Sequence, residues 1–135
     1  MSTQLVLHAA TARDLMTSDP VSLDVSATAG EATNFLTSRG FGAAVVIDIA
    51  GHPVGVVTKT DLLVHSRVRG ACTEADDTPV GEVMTPVVFA VHEDAPVRSV
   101  VGQLLALNVH HLFVTDAAGV VVGVISPVDV LRKLA

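Results

Sequence analysis

Two four-residue phrases carry the chemistry in this chain, Thr58-Lys59-Thr60-Asp61 and Ser126-Pro127-Val128-Asp129. Each sets a hydroxyl three residues ahead of a carboxylate, directly after a run of strand-forming valines. One reading is a helix start: Ser or Thr as N-cap with an acid at N3 is a capping box, here with Asp in place of Glu. Such a cap contributes about 0.5–2 kcal/mol, and Pro127 suits the first helical position. The other reading is a ligand site. A helix start presents N–H groups and a positive dipole end to a phosphate. The acceptor oxygens of Asp61 and Asp129 suit a ribose diol, whereas beside a phosphate they would repel. The two readings do not compete.

Other chemistry-bearing residues lie near these phrases. Lys59 is a cation inside the first phrase, and Pro127 and Val128 leave the second without one. His110 and His111 precede a strand and could meet the same ligand, with Arg39 near the matching place earlier in the chain. Adjacent strand residues face opposite ways, so the two histidines are not expected to share a metal, and no metal site is expected. Gly55 and Gly123 sit inside strands just before the phrases. Glycine there marks either close packing or room for a ligand, and packing is favoured. No G-x-x-x-x-G-K-[ST], H-E-x-x-H or G-x-S-x-G pattern occurs, so no enzyme is expected. Asp48 and Asp116 read as turn residues rather than a catalytic pair.

The elements that position these residues come in two copies. An offset of 68 positions carries Met16–Thr17 onto Met84–Thr85, Val46 onto Val114, Asp48 onto Asp116, Gly55 onto Gly123 and Asp61 onto Asp129. No gap is needed from Asp14/Glu82 to Leu63/Leu131. Each copy begins with a short helical turn, ARDLMT or VGEVMT. An extended piece follows, then a helix with Val97, Val100, Val101, Leu104 and Leu105 as its apolar face in copy two. Ala32, Phe35 and Leu36 form the thinner face in copy one. Ser26 and Asp94 are the expected N-caps, and Gly40 and Asn108 the expected left-handed C-caps. Two strands joined by Ile49-Ala50-Gly51 or Ala117-Ala118-Gly119 make a hairpin. A closing helix ends each copy. The order is β-α-β-β-α, an α/β (α+β) class, with copy one at 11–67, a polar linker at 68–78 and copy two at 79–135. One copy alone would expose an apolar sheet face, so the two are expected to pack as one compact module.

Composition narrows the functions. The chain has 135 residues, is 50% hydrophobic and 3% aromatic, and so builds an aliphatic core. Its net charge of −6, from 8 basic and 14 acidic residues, argues against nucleic acid. The single Cys72 excludes an internal disulfide. No apolar run is long enough to span a bilayer, and the N-terminal stretch lacks the basic start of a signal peptide. A cytoplasmic location without membrane contact is expected.

The repeated unit resembles a cystathionine-β-synthase-type (CBS) domain pair. The resemblance rests on Leu15-Met16-Thr17, Val83-Met84-Thr85-Pro86, the β-α-β-β-α order and the G-h-h-[T/S]-x-x-D phrases, and covers about residues 11 to 135. It implies a pseudo-twofold pair without a catalytic domain. It further implies a regulatory module that binds an adenosine-containing ligand, such as AMP, ADP, ATP or S-adenosylmethionine, in clefts between the repeats. By the family pattern Thr58 with Asp61, and Ser126 with Asp129, reach the ribose and phosphate side. Val21–Ser22 and Phe89–Ala90 hold the base, and Ala43–Ala44 and His111–Leu112 complete the pockets. Homodimers and an unidentified regulated protein are implied as partners, and no cofactor is required. The thin supply of cations favours an AMP-like ligand over ATP. The alternative is a pair that binds no ligand and serves as a dimerisation or interaction scaffold.

Overall fold

Valine-rich alternation and two glycine-bearing turns give this chain two small sheets, each backed by helices. The computed structural model describes residues 6–18, 20–69, 76–109 and 111–134. The first elements are α1 (Ala12–Leu15), β1 (Thr17–Ser18), β2 (Ser22–Asp24), α2 (Ala29–Arg39), β3 (Ala43–Ile47), β4 (Pro53–Thr58) and α3 (Lys59–Arg69). A 3₁₀ turn at Val80–Glu82 precedes β5 (Ala90–His92), α4 (Val97–Leu107), β6 (Leu112–Thr115), β7 (Val121–Ile125) and α5 (Pro127–Arg132). The β-α-β-β-α order therefore holds in both copies.

The chain forms two compact units, Val21–Val88 and Met1–Pro20 with Phe89–Ala135. These are not the two sequence copies. In the first, β2 runs parallel to β3 and β3 antiparallel to β4. In the second, β5 runs parallel to β6 and β6 antiparallel to β7. The short leaders change places. β1 belongs to copy one by sequence but pairs with β7 of copy two, Thr17 opposite Val124. Thr85 belongs to copy two but bridges Val56 on β4. The two contacts are the same pair with the copies exchanged.

The cores follow the exchange. Ala12 and Leu15 of α1 are buried with Val91, Val100, Leu104 and Ile125, while Val80 is buried with Ala32, Leu36, Val46 and Leu62. Both cores are aliphatic, as a chain so poor in aromatics requires. The hairpins repeat in detail. Gly51 and Gly119 take φ of 85° and 81°, a left-handed conformation that suits glycine. Asp48 and Asp116 accept backbone N–H bonds from Ala50 and His52, and from Ala118 and Val120, at 2.9–3.0 Å. Both are turn residues.

The helix starts correct the sequence reading. Thr28, not Ser26, caps α2 and accepts the Glu31 N–H at 3.0 Å. Ser26 is engaged by Asp24, which accepts its N–H at 2.8 Å and its hydroxyl at 2.6 Å. In copy two the N-cap is Pro96, and Asp94 instead pairs with Arg13 at 3.1 Å. Gly40 and Asn108 close their helices left-handed, at φ of 70° and 53°. Val100 and Leu104 are buried on α4, but Leu105 is 77% exposed and lies off the core face.

Candidate functional site

Strand directions gather the candidate residues of each copy at one sheet end. In Val21–Val88 the first residues of β2 and β3 and the last of β4 lie together, because Ser22 pairs with Val45 and Ala43 with Thr58. The Val45 N–H donates to Val21 O at 3.2 Å, and the Lys59 N–H to Gly42 O at 3.0 Å. Those two bonds dock the start of α3 beside Val21, Ser22, Ala43 and Ala44. Lys59 is exposed at that start. The other unit repeats the design. Ala90 pairs with Phe113 and Leu112 with Ile125, and the Phe113 N–H donates to Phe89 O at 2.9 Å. Phe89 is 40% exposed, an aromatic surface where copy one has Val21. His111 is exposed just before β6, and His110 lies outside the described residues. Ala44 and Leu112 are core residues, so at a surface they offer backbone only. The Arg39 guanidinium lies over the Phe35 ring of the same helix, 4.6 Å from the centroid.

Both phrases are capping boxes. The Thr58 N–H donates to Asp61 Oδ2 at 2.9 Å, and the Asp61 N–H to Thr58 Oγ1 at 3.0 Å. The Ser126 N–H donates to Asp129 Oδ2 at 2.8 Å, and the Asp129 N–H to Ser126 Oγ at 3.4 Å. The second oxygen of each carboxylate has a further partner. Asp61 Oδ1 accepts the Thr85 hydroxyl at 3.2 Å, and Asp129 Oδ1 accepts the Thr17 hydroxyl at 3.3 Å. Arg132 Nη1 also stands 3.6 Å from Asp129 Oδ1.

The strand glycines admit the leaders. A Cβ on Gly55 would lie 2.5 Å from Met84 Sδ and 2.7 Å from Thr85 O. A Cβ on Gly123 would overlap Met16 Sδ and lie 2.8 Å from its Cγ. Packing, rather than ligand space, accounts for both glycines.

Sequence reasoning gave Thr17 and Thr85 no role, although their repetition in register was a signal. It also missed His65 and Asp76. Asp76 is the buried charged residue among those described, and its Oδ2 lies 2.8 Å from His65 Nε2. Its Oδ1 accepts the Thr78 N–H at 3.1 Å, and the backbone oxygens of Asp76 and Thr78 accept from Gly30 and Ala29 at the start of α2. This stitches the end of the linker onto α2 and α3. Among the described residues, no group of three or more His, Cys, Asp or Glu could hold a metal. No helix among them is long and apolar enough to cross a membrane.

A family model for the CBS domain matches residues 12–67 and 80–135. An uncharacterized protein of Methanopyrus kandleri is 25% identical over 120 residues, covering 89% of this chain and 58% of that protein. One from Methanocaldococcus jannaschii is 31% identical over 125 residues, covering 91% and 56%. The chain thus spans less than two thirds of the length of these relatives. The L-aspartate semialdehyde sulfurtransferase of M. jannaschii is 26% identical, but the match takes in only 22% of that enzyme. Among solved structures, CBSX2 in complex with AMP has a TM-score of 0.75 at 26% identity, covering 92% of this chain and 95% of that one. The cytosolic domain of the Mg²⁺ channel MgtE in complex with ATP has a TM-score of 0.71 at 28% identity, covering 87% and 46%.

Proposed function

The chain belongs to the CBS domain family, and on that premise we propose that it is a regulatory module that senses an adenosine-containing ligand. The observation that carries the proposal is the gathering of Val21, Ser22, Ala43, Thr58 and Asp61 at one sheet end beside the start of α3. Phe89, Ala90, His111, Ser126 and Asp129 gather in the same way at the other. Similar structures in complex with AMP and with ATP support the ligand class. In this reading Asp61 and Asp129 take the ribose hydroxyls, and backbone near Val21 and Phe89 takes the base.

The two ends are not equivalent. α3 opens with the exposed Lys59, a cation at a helix start, so this end suits a phosphate. α5 opens with Pro127, which has no N–H, and its first turn has no lysine. One weakly charged AMP-like ligand fits this supply of cations better than a triphosphate. No catalytic role is proposed, since the match to a named enzyme covers a fifth of that protein. The module is proposed to act in the cytoplasm as a homodimer on a regulated protein. Light scattering at tens of micromolar should return twice the chain mass.

A second reading, a scaffold without ligand, is favoured by one observation: both oxygens of each motif carboxylate already have partners within the chain. Thermal shift against AMP, ADP, ATP and S-adenosylmethionine separates the two. A ligand at about a hundred times its dissociation constant adds about 2.7 kcal/mol and raises Tm by several degrees. A selective rise supports the sensor. No rise at millimolar concentration of any of them leaves the scaffold.

A further inference from the structure

We propose that Thr17 and Thr85 are positioning residues that aim the motif carboxylates at a vicinal diol. The inference rests on the assignment of ribose to Asp61 and Asp129. An ionised carboxylate offers two oxygens with about four lone-pair sites. In both copies Oδ2 is committed to the N-cap of its own helix. Oδ1 is what remains for a ligand, and in both copies it accepts a threonine hydroxyl. At Asp61 one lone pair of Oδ1 is then left over, while at Asp129 the guanidinium of Arg132 stands 3.6 Å from the same oxygen.

The second bond matters because the carboxylate torsion is soft. The terminal torsion of Asp is broad and roughly two-fold, so a carboxylate held at one oxygen swings. Held at both oxygens, its last lone pair keeps one direction. A diol that must meet that lone pair binds without first ordering the side chain.

The hydroxyls are themselves placed by backbone. Thr85 exchanges two bonds with Val56, N–H to O in each direction at 2.9 Å. Thr17 stands opposite Val124 in the β1–β7 ladder. Gly55 and Gly123 let these leaders close in, since a methyl group at either would overlap the leader's methionine. Methionine, threonine, glycine and aspartate therefore form one device, built twice. In each case the threonine comes by sequence from the other copy. At 3.2 and 3.3 Å the hydroxyl bonds are long for O–H to carboxylate. Thr17 and Thr85 are also exposed, so a ligand can approach the shared oxygen.

The test compares AMP with 2′,3′-dideoxy-AMP by titration calorimetry, on the wild-type chain and on the Thr17→Val/Thr85→Val and Thr17→Ser/Thr85→Ser variants. Valine keeps the branched shape and removes the hydroxyl, while serine keeps the hydroxyl. The wild type should bind AMP more tightly than the dideoxy analogue. The valine pair should lose about three- to tenfold in AMP affinity, the span of one net hydrogen bond, with dideoxy-AMP unchanged. The serine pair should restore the preference. If the wild type prefers AMP and the valine pair keeps that preference in full, the positioning role is overturned and the ribose assignment stands. Equal loss for both nucleotides also overturns it, because that is a general structural effect. A wild type that binds both nucleotides equally removes the ribose assignment, and a wild type that binds neither removes the AMP-like ligand and this inference with it.

Discussion

Replacing Gly55 by alanine tests why β4 carries a glycine. The new methyl carbon would stand 2.5 Å from Met84 Sδ and 2.7 Å from Thr85 O. The thioether end of Met84 is flexible and can turn away. The Thr85 carbonyl cannot, because it accepts the Val56 N–H at 2.9 Å while the Thr85 N–H donates back at 2.9 Å. The methyl group must therefore push the leader off β4. Overpacking of this kind costs about 1–3 kcal/mol, and each loosened ladder bond adds about 0.5–1.5 kcal/mol. A total of about 2–4 kcal/mol corresponds to a fall in Tm of roughly 6–16 °C for a chain of this size. Thermal unfolding followed by circular dichroism measures the shift, and urea unfolding gives the free energy with its slope as a check. Gly123→Ala should cost less, because its three nearest atoms all belong to the Met16 side chain and none to backbone. Met84→Ala added to Gly55→Ala should recover only part of the loss, since the carbonyl contact stays. Gly102→Ala is the control. It lies inside α4 with nothing within 4 Å of a new Cβ, so it should gain about 0.8–1.0 kcal/mol of helix propensity. A Gly55→Ala protein as stable as the wild type would refute the close approach of the leader, and with it the account of both glycines.

Two further outcomes follow from groups outside the motif. Asp76→Ala takes the acceptor from the His65 ring and the Thr78 N–H in a buried setting, so it should cost on the order of 2–3 kcal/mol in urea unfolding. Asp76→Asn, which keeps an acceptor oxygen, should cost less, and equal losses would argue against the hydrogen bonds. Asp14 is held below its ordinary pKa by N–H bonds from Ala10 and Thr11, and Asp24 by the hydroxyl and N–H of Ser26. A depressed carboxylate stabilises the fold fully above its unfolded value of about 4 and loses that contribution as pH falls through the lower folded value. Tm should therefore drop as pH falls below about 4, and less steeply in Asp14→Asn/Asp24→Asn. A variant profile parallel to the wild type would rule out these two groups as contributors.

Much of the fold was legible because the sequence repeats itself. The offset that aligns Asp61 with Asp129 also aligns the two hairpins, the two capping boxes and the two left-handed helix ends. The N-caps were misplaced for a local reason. Asp24, Ser26 and Thr28 all compete for the start of α2, and Asp24 captures Ser26. Thr28 with Glu31 had the spacing of a capping box, so that signal was present. At Pro96 no side chain caps the helix, so residue preference pointed elsewhere, to Asp94. The exchange of leaders was not legible at all. Self-alignment says which residues are equivalent, but not on which copy's strand a leader lands. For the same reason Thr17 and Thr85 were visible as part of a signature while their bonds to Asp129 and Asp61 were not. His65 and Asp76 belong to no repeat, so nothing in the pattern marked them.

The leader exchange also sets an order of assembly during synthesis. The Thr85–Asp61 bond closes over 24 positions, and everything in Val21–Val88 is contiguous. That unit can complete itself while the ribosome is still making the rest. The Thr17–Asp129 bond closes over 112 positions. On loop length alone, that closure costs about 1.3 kcal/mol more than the short one. The first leader to be made must therefore wait, with Ala12 and Leu15 unburied, until β7 and α5 emerge. Contacts so distant in sequence form late. Chaperones that guard exposed apolar segments would meet this chain at its first leader, and the interval that exposes it is the time needed to translate the second copy.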